Sequence, residues 1–222
     1  FGEVADLFAG YESVSGKAVD RESVKFWQVF GSFWWAVGCL GMAEHYRNGP
    51  DKTVERPAIG RRSSECQVDC VNLLIPGSVA LEKPVKAAAA MPAMEELLTS
   101  VSDFLRDEVM AHTQGRLQFL ARVAANSLDI VQREQALATP GLVNEEQRLK
   151  ELFAGTDDSP LGLDDLRWRL VHALRDGSMP LDSELLQGHL RASVVNQIAI
   201  DQPRYAGFKT ATNGVKTETG GD

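Results

Sequence analysis

The sequence predicts an all-α protein, and three observations carry that expectation. Apolar residues recur at three- and four-residue spacing along most of the chain, as on one face of a helix. No stretch alternates apolar and polar residues as a half-buried strand does, and no Asn-Gly pair joins two apolar runs. Helix start and stop residues bracket the periodic segments: Asp20 before the first, Gly49-Pro50 after it, and Gly177 and Pro203 further on. The finer expectation is two long antiparallel helices followed by a separate bundle of about five helices.

The first part spans residues 1–76. Asp20 suits an N-cap, and Glu22 in the first turn meets the positive end of the helix dipole. The helix that follows should end at Asn48-Gly49-Pro50, where glycine would supply a left-handed cap and proline cannot continue. A second helix is expected from about Lys52 to Ile75, with Ile59, Cys66, Cys70, Val71 and Leu74 near one face. Residues 77–92 read as a linker, rich in proline and then alanine.

Residues 93–208 read as the bundle. Met94, Leu97, Leu98, Val101, Leu105 and Val109 form one stripe, and Leu117, Leu120, Ala124, Leu128 and Val131 form the next. A shorter helix carries Leu149, Leu152 and Phe153. Another carries Leu163, Leu166, Leu170 and Leu174, opened by Asp164 and Asp165 and closed by Gly177. The last carries Leu186, Leu190, Val194, Ile198 and Ala199. Residues 209–222 lack apolar content and are expected to be disordered.

Bulk properties narrow the function. The 222 residues suit one or two domains, and 44% hydrophobic with 24% charged residues is ordinary globular composition. A net charge of −8 excludes a general nucleic-acid binder, which needs a basic face to displace phosphate counterions. The odd set Cys39, Cys66 and Cys70 is no disulfide framework, and Cys66 with Cys70 lacks the further ligands that zinc needs. Buried reduced thiols point to a cytoplasmic protein. Residues 26–43 carry no charge, which reaches the lower limit for a membrane span. Glycines and polar residues interrupt that stretch, so a helix buried on most sides is the expectation, with no membrane partner.

Phosphoryl transfer needs an acceptor-orienting Asp, an Asn and a second Asp for magnesium, and a Lys with a backbone loop for phosphate. None of His45, His112, His172 and His189 is followed two residues later by Asp, and no glycine-rich phosphate loop occurs. No catalytic, cofactor-binding or metal-binding residues are therefore assigned.

Even so, Tyr11-Glu12 with Ser15-Gly16 and Val19-Asp20 is similar to the Tyr-Glu-x-x-x-Gly-x-x-Val-Asp junction of the aminoglycoside-phosphotransferase/choline-kinase-like small-molecule kinases. Phe26-Trp27-x-Val29-Phe30-Gly31 with Trp35-Ala36-Val37 resembles the apolar helix after that junction, and Gly60-Arg61-Arg62 through Leu73-Leu74 the last helix of the lobe. The resemblance implies that the first part is the C-terminal helical end of a kinase-like lobe. ATP and magnesium would belong to the parent protein's missing N-terminal lobe.

Residues 93–208 resemble a helical companion domain of unknown function found with such kinases. Glu96-Leu97-Leu98, Phe104-Leu105-Arg106 and Arg116-Leu117-x-Phe119-x-x-Arg122-Val123-Ala124-Ala125-Asn126 carry that likeness. So do His189-Leu190-Arg191-Ala192 and Asp201-Gln202-Pro203-Arg204-Tyr205. The expected function is thus a C-terminal kinase fragment fused to an accessory domain, inactive alone. The expected partners are the missing lobe or a partner enzyme, a small-molecule acceptor, or a second copy of the chain. The alternative is a non-enzymatic, all-helical ligand- or protein-binding module.

Individual residues divide along the same lines. Trp27, Trp34 and Trp35 either fill a core or line an acceptor pocket or lobe interface. Adjacent Trp34 and Trp35 diverge by about a hundred degrees on a helix, so one of them must face away from any single neighbour. Arg116, Arg122 and Asn126 either form a solvated face or hold an anion, Arg122 and Asn126 being one turn apart. Asp201 should bond local backbone, while Arg204 and Tyr205 are candidates for recognition.

Overall fold

The computed structural model describes residues 2–84, 93–154 and 161–213. The protein is all-α, with no strand among the described residues. The helices are α1 (Val4–Ser15), α2 (Arg21–Asn48), α3 (Glu55–Arg61), α4 (Ser63–Leu74), α5 (Met94–Asp103), α6 (Met110–His112), α7 (Gly115–Leu152), α8 (Leu163–Asp176), α9 (Glu184–Asp201) and α10 (Ala206–Asn213). A π-helical turn, Phe104–Val109, connects α5 to α6.

The start of α2 is fixed as its sequence suggests. The Asp20 carboxylate accepts hydrogen bonds from the backbone N–H groups of Glu22 (3.1 Å) and Ser23 (3.2 Å). The helix stops at Asn48, but Gly49 is no left-handed cap: its φ is −92°. Glycine is needed there for closeness instead. Its N–H meets the His45 carbonyl at 2.9 Å, and a Cβ would stand 2.5 Å from that oxygen. Ahead of α2 lies α1, which the periodicity did not announce. It is closed by Gly16 at φ 68° and buries none of its residues.

The single helix expected from Lys52 to Ile75 is two. It breaks at Arg62, which is not part of either helix and turns the chain between α3 and α4. Gly60 on α3 lies so close to Ala43 on α2 that a Cβ at residue 60 would come within 2.7 Å of the Ala43 methyl. Cys70 on α4 lies against the Val29 carbonyl. On α2 itself only Ala36 and Cys39 are buried.

Among the described residues, two apolar cores hold the rest. The first joins Val68 and Val71 of α4 to Val195 and Ile198 of α9 and Ala211 of α10. The second joins Leu149 and Phe153 to Leu166 and Leu170 of α8 and Leu186 of α9. Apolar burial is the main stabilising term in both. The first core links the segment before residue 77 to helices beyond residue 183, so the bundle expected to stand apart shares its packing with α4.

Two further expectations are corrected. The stripe at 117–131 and Leu149 and Leu152 belong to one helix, α7, which runs through Pro140 and is capped by Phe153. A proline removes one backbone hydrogen bond, and packing along the rest of α7 carries the helix past it. The tail expected to be disordered from residue 209 is helical to Asn213. Tertiary contacts hold it: Ala211 is fully buried, and the Asn72 side chain donates to the Gly207 carbonyl at 2.8 Å. Residues 214–222 lie outside the described residues, as do 85–92 with the alanine run. The described part of the linker has no helix and is pinned to α9. Asn196 accepts from the Glu82 N–H at 2.8 Å and donates to the Ala80 carbonyl at 3.2 Å.

Candidate functional site

The tryptophans singled out by sequence are exposed: Trp27 at 63%, Trp34 at 65% and Trp35 at 43%. They lie on α2 with exposed Phe26, Phe30, Phe33, Val37 and Leu40. The rings are ordered among themselves. Phe26 stacks on Phe30 with centroids 6.2 Å apart, and Trp27 stands edge-on to both. Trp34 and Trp35 stack at 6.4 Å.

The structure separates the other sequence candidates. Arg116 forms a 2.7 Å ion pair with Glu55 at the start of α3. Arg122 is exposed, whereas Asn126 lines a groove of about 180 Å³ between α3 and α7, with Ile59, Phe119 and Val123. Arg204 is exposed, while its neighbour Tyr205 donates its hydroxyl to Asp69 on α4 at 2.6 Å. Asp201 does not serve local backbone with its side chain. Its carboxylate is buried, meets Arg61 Nε at 2.7 Å and accepts from Gln197 at 3.0 Å.

Helix α9 also carries a buried cation. Arg191 on α9 is 3% exposed and faces no carboxylate among its hydrogen-bond partners. Its guanidinium donates to the Ile75 carbonyl at 2.9 Å and to the Ala211 carbonyl at 3.0 Å. Both oxygens lie at helix ends, which carry partial negative charge and lack helical partners. Burial still disfavours the charged form and lowers the pKa of Arg191.

Sequence reasoning did not find one cleft that brings Arg148 and Arg167 together. It has a volume of about 390 Å³ and lies among the middle of α7, Arg167 of α8, α9, Gln67 of α4 and Glu82 of the linker. Leu137, Ala138, Leu142, Val194 and Ile200 supply an apolar wall. Glu82, Glu134, Glu145, Arg148, Arg167, Ser193, Asn196 and Gln197 supply polar groups. Most charges are already paired. Arg167 binds Glu145 through two nitrogens at 2.7 and 2.8 Å, which holds its pKa above the ordinary value. Glu134 is met by Arg61 at 3.0 Å, and Glu82 accepts from Asn144 at 2.6 Å.

Arg148 is the exception. Its Nη1 is 4.0 Å from Glu82, its Nη2 is 3.4 Å from the Ser193 hydroxyl, and its buried Nε has no hydrogen-bond partner among the described residues. Nearby His189 is buried, and its Nδ1 has no partner among the described residues. Burial, and then the charge of Arg148, lower its pKa and keep the imidazole neutral. Among the described residues, no three His, Cys, Asp or Glu side chains converge as metal ligands. No helix among them is long and apolar enough to cross a membrane.

The described residues form an all-helical protein with a cleft of mixed polar and apolar lining. Comparison with known families adds that residues 111–205 match a domain of unknown function, DUF6285. The match covers less than half of the chain, and it includes Arg148, Arg167, His189, Arg191 and Ser193. No curated protein and no solved structure matches the chain.

Proposed function

We propose that this chain is the C-terminal helical portion of an aminoglycoside-phosphotransferase-like small-molecule kinase, fused to a helical accessory domain. Its role is architectural, and it transfers no phosphate alone. The catalytic lobe, with its ATP and magnesium, seats on α2, and the acceptor pocket forms beside it. In this reading α2 and the α3–α4 segment are the antiparallel pair that completes the lobe.

The observation that carries the reading is the exposed aromatic face of α2. Residues 26–43 hold no charge, yet Phe26, Trp27, Phe33 and Trp34 are each more than half exposed. An uncharged helix apolar on most sides is normally covered, and covering each large side chain stabilises by about 1.5–3 kcal/mol. An ordered apolar patch of this kind marks an interaction surface. The accessory domain in turn grips α4 through Arg191, Tyr205 and the first core. Three free thiols suit a reducing compartment, the cytoplasm.

The test has two arms. The chain alone is incubated with magnesium, labelled ATP and a panel of alcohols, where no label should move. It is then mixed with the catalytic lobe of such a kinase truncated before its terminal helices. The account expects a complex that is lost in the double variant Trp27→Gln, Trp34→Gln. Label transfer by the chain alone would reject it.

A further inference from the structure

We propose that α5 and the π-helical turn after it form a docking surface for a basic amphipathic helix of a partner protein. This goes beyond the lobe-docking reading and does not depend on it, since none of these residues lies on α2.

Helix α5 is inverted with respect to an ordinary amphipathic helix. Of its residues only Ser102 is buried. Polar side chains join it to α7. Thr99 accepts from Gln132 at 2.8 Å, and Arg106 of the π-helical turn donates to Ser102 and pairs with Asp129 at 2.7 Å. Leu98 and Leu105 are only partly buried. Met94, Leu97, Val101 and Phe104 face outward, each 49–57% exposed. Single exposed apolar side chains need no explanation, but four in register make a continuous stripe.

Spacing and charge identify the occupant. The stripe steps by three, four and three residues, the period of a heptad seam, which takes a second helix by knobs-into-holes packing. Glu96 and Asp103 stand one heptad apart on the Leu97 and Phe104 side of that seam, and Asp107 follows them. Glu95, Glu96, Asp103 and Asp107 are exposed and form no ion pair among the described residues. Arg106, the one Lys or Arg within residues 94–109, is already paired with Asp129. An exposed edge of one sign favours a partner of the opposite sign. A second copy of the same face would set these carboxylates against their duplicates, and an anionic lipid surface would meet the same repulsion.

The probe is a helical peptide of about three heptads with leucine at the a and d positions and lysine at e and g. The comparison peptide carries glutamate in place of lysine. Binding to the full chain is followed by fluorescence anisotropy and by amide chemical shifts. The lysine peptide should bind, shift amides in 94–109 and lose affinity as salt rises. The glutamate peptide should bind at least about tenfold more weakly. The double variant Leu97→Gln, Phe104→Gln should abolish binding, and because both side chains are exposed the fold should survive. The triple variant Glu96→Gln, Asp103→Asn, Asp107→Asn should weaken binding about tenfold and remove most of its salt dependence. Trp27→Gln, Trp34→Gln on α2 should bind the peptide as the parent does, which keeps this test apart from that of lobe docking. No binding of the lysine peptide, equal affinity for both peptides, shifts confined to α2, or a stronger response of 94–109 to vesicles of anionic phospholipid would overturn the assignment.

Discussion

The Tyr205 hydroxyl donates a 2.6 Å hydrogen bond to the Asp69 carboxylate, across 136 residues of sequence. It ties the turn before α10 to the middle of α4. Gly207 lies in the same contact, where a Cβ would stand 2.6 Å from an Asp69 oxygen. Burial raises the pKa of Asp69, and the Tyr205 bond opposes that rise.

The pH dependence of Tyr205→Phe follows from these shifts. Removing the hydroxyl leaves a half-buried carboxylate without its donor, which costs roughly 1–3 kcal/mol at pH 7. Asp69 has a raised folded pKa, so its ionisation lowers stability as pH rises above about 4. The cost of the variant should therefore shrink toward pH 4. The pKa of Tyr205 is raised by burial and by Asp69, so its contribution is present below pH about 10 and lost above it. Urea midpoints of both proteins at pH 4, 7 and 10.5 should show a gap that is widest at pH 7.

Arg191→Met should destabilise the protein by roughly 2–4 kcal/mol, since it leaves the Ile75 and Ala211 carbonyls without their charged donor. Arg191→Lys should recover only part of this, because one ammonium cannot reproduce the planar fork. Chemical denaturation measures both. Hydrogen exchange should show α10 opening first in either variant.

Gly60→Ala should cost about 1–3 kcal/mol through overpacking against Ala43. Gly10→Ala, on exposed α1 with nothing near the added methyl, should instead be neutral or stabilising. Thermal melting of the two variants against the parent checks the pair.

The three thiols should resist modification in the folded chain. Cys39 is fully buried, and burial pushes Cys66 up to about 11. At pH 8 very little of Cys66 is then thiolate. Ellman's reagent should label the native protein slowly and all three cysteines promptly in denaturant. Rapid labelling of the native chain would contradict the packing of α2 on α4.

Helix content was legible because burial repeats every three to four residues, and Asp20 marked the start of α2 unaided. What escaped the sequence depends on distant partners. Arg62 breaks a helix without any glycine or proline beside it. Residues 206–213 lack a strong stripe and are held by Arg191 and Asn72, which only folding brings near. The cleft escaped for the same reason. Glu82, Arg148, Arg167 and Ser193 each read as part of a solvated helix face or linker, and nothing in their spacing says that they meet. The α2 tryptophans were legible as a feature, either core or lobe interface, and spacing alone does not say which, since both need an uncharged apolar helix.

The central claim is that the aromatic face of α2 is a surface awaiting a partner. Sedimentation of the full chain across a range of concentrations, with a hydrophobic dye as a second readout, tests it most directly. The account predicts dye binding and concentration-dependent self-association, both abolished in Trp27→Gln, Phe30→Gln, Trp34→Gln without loss of helicity. A monodisperse monomer that binds no dye would contradict it.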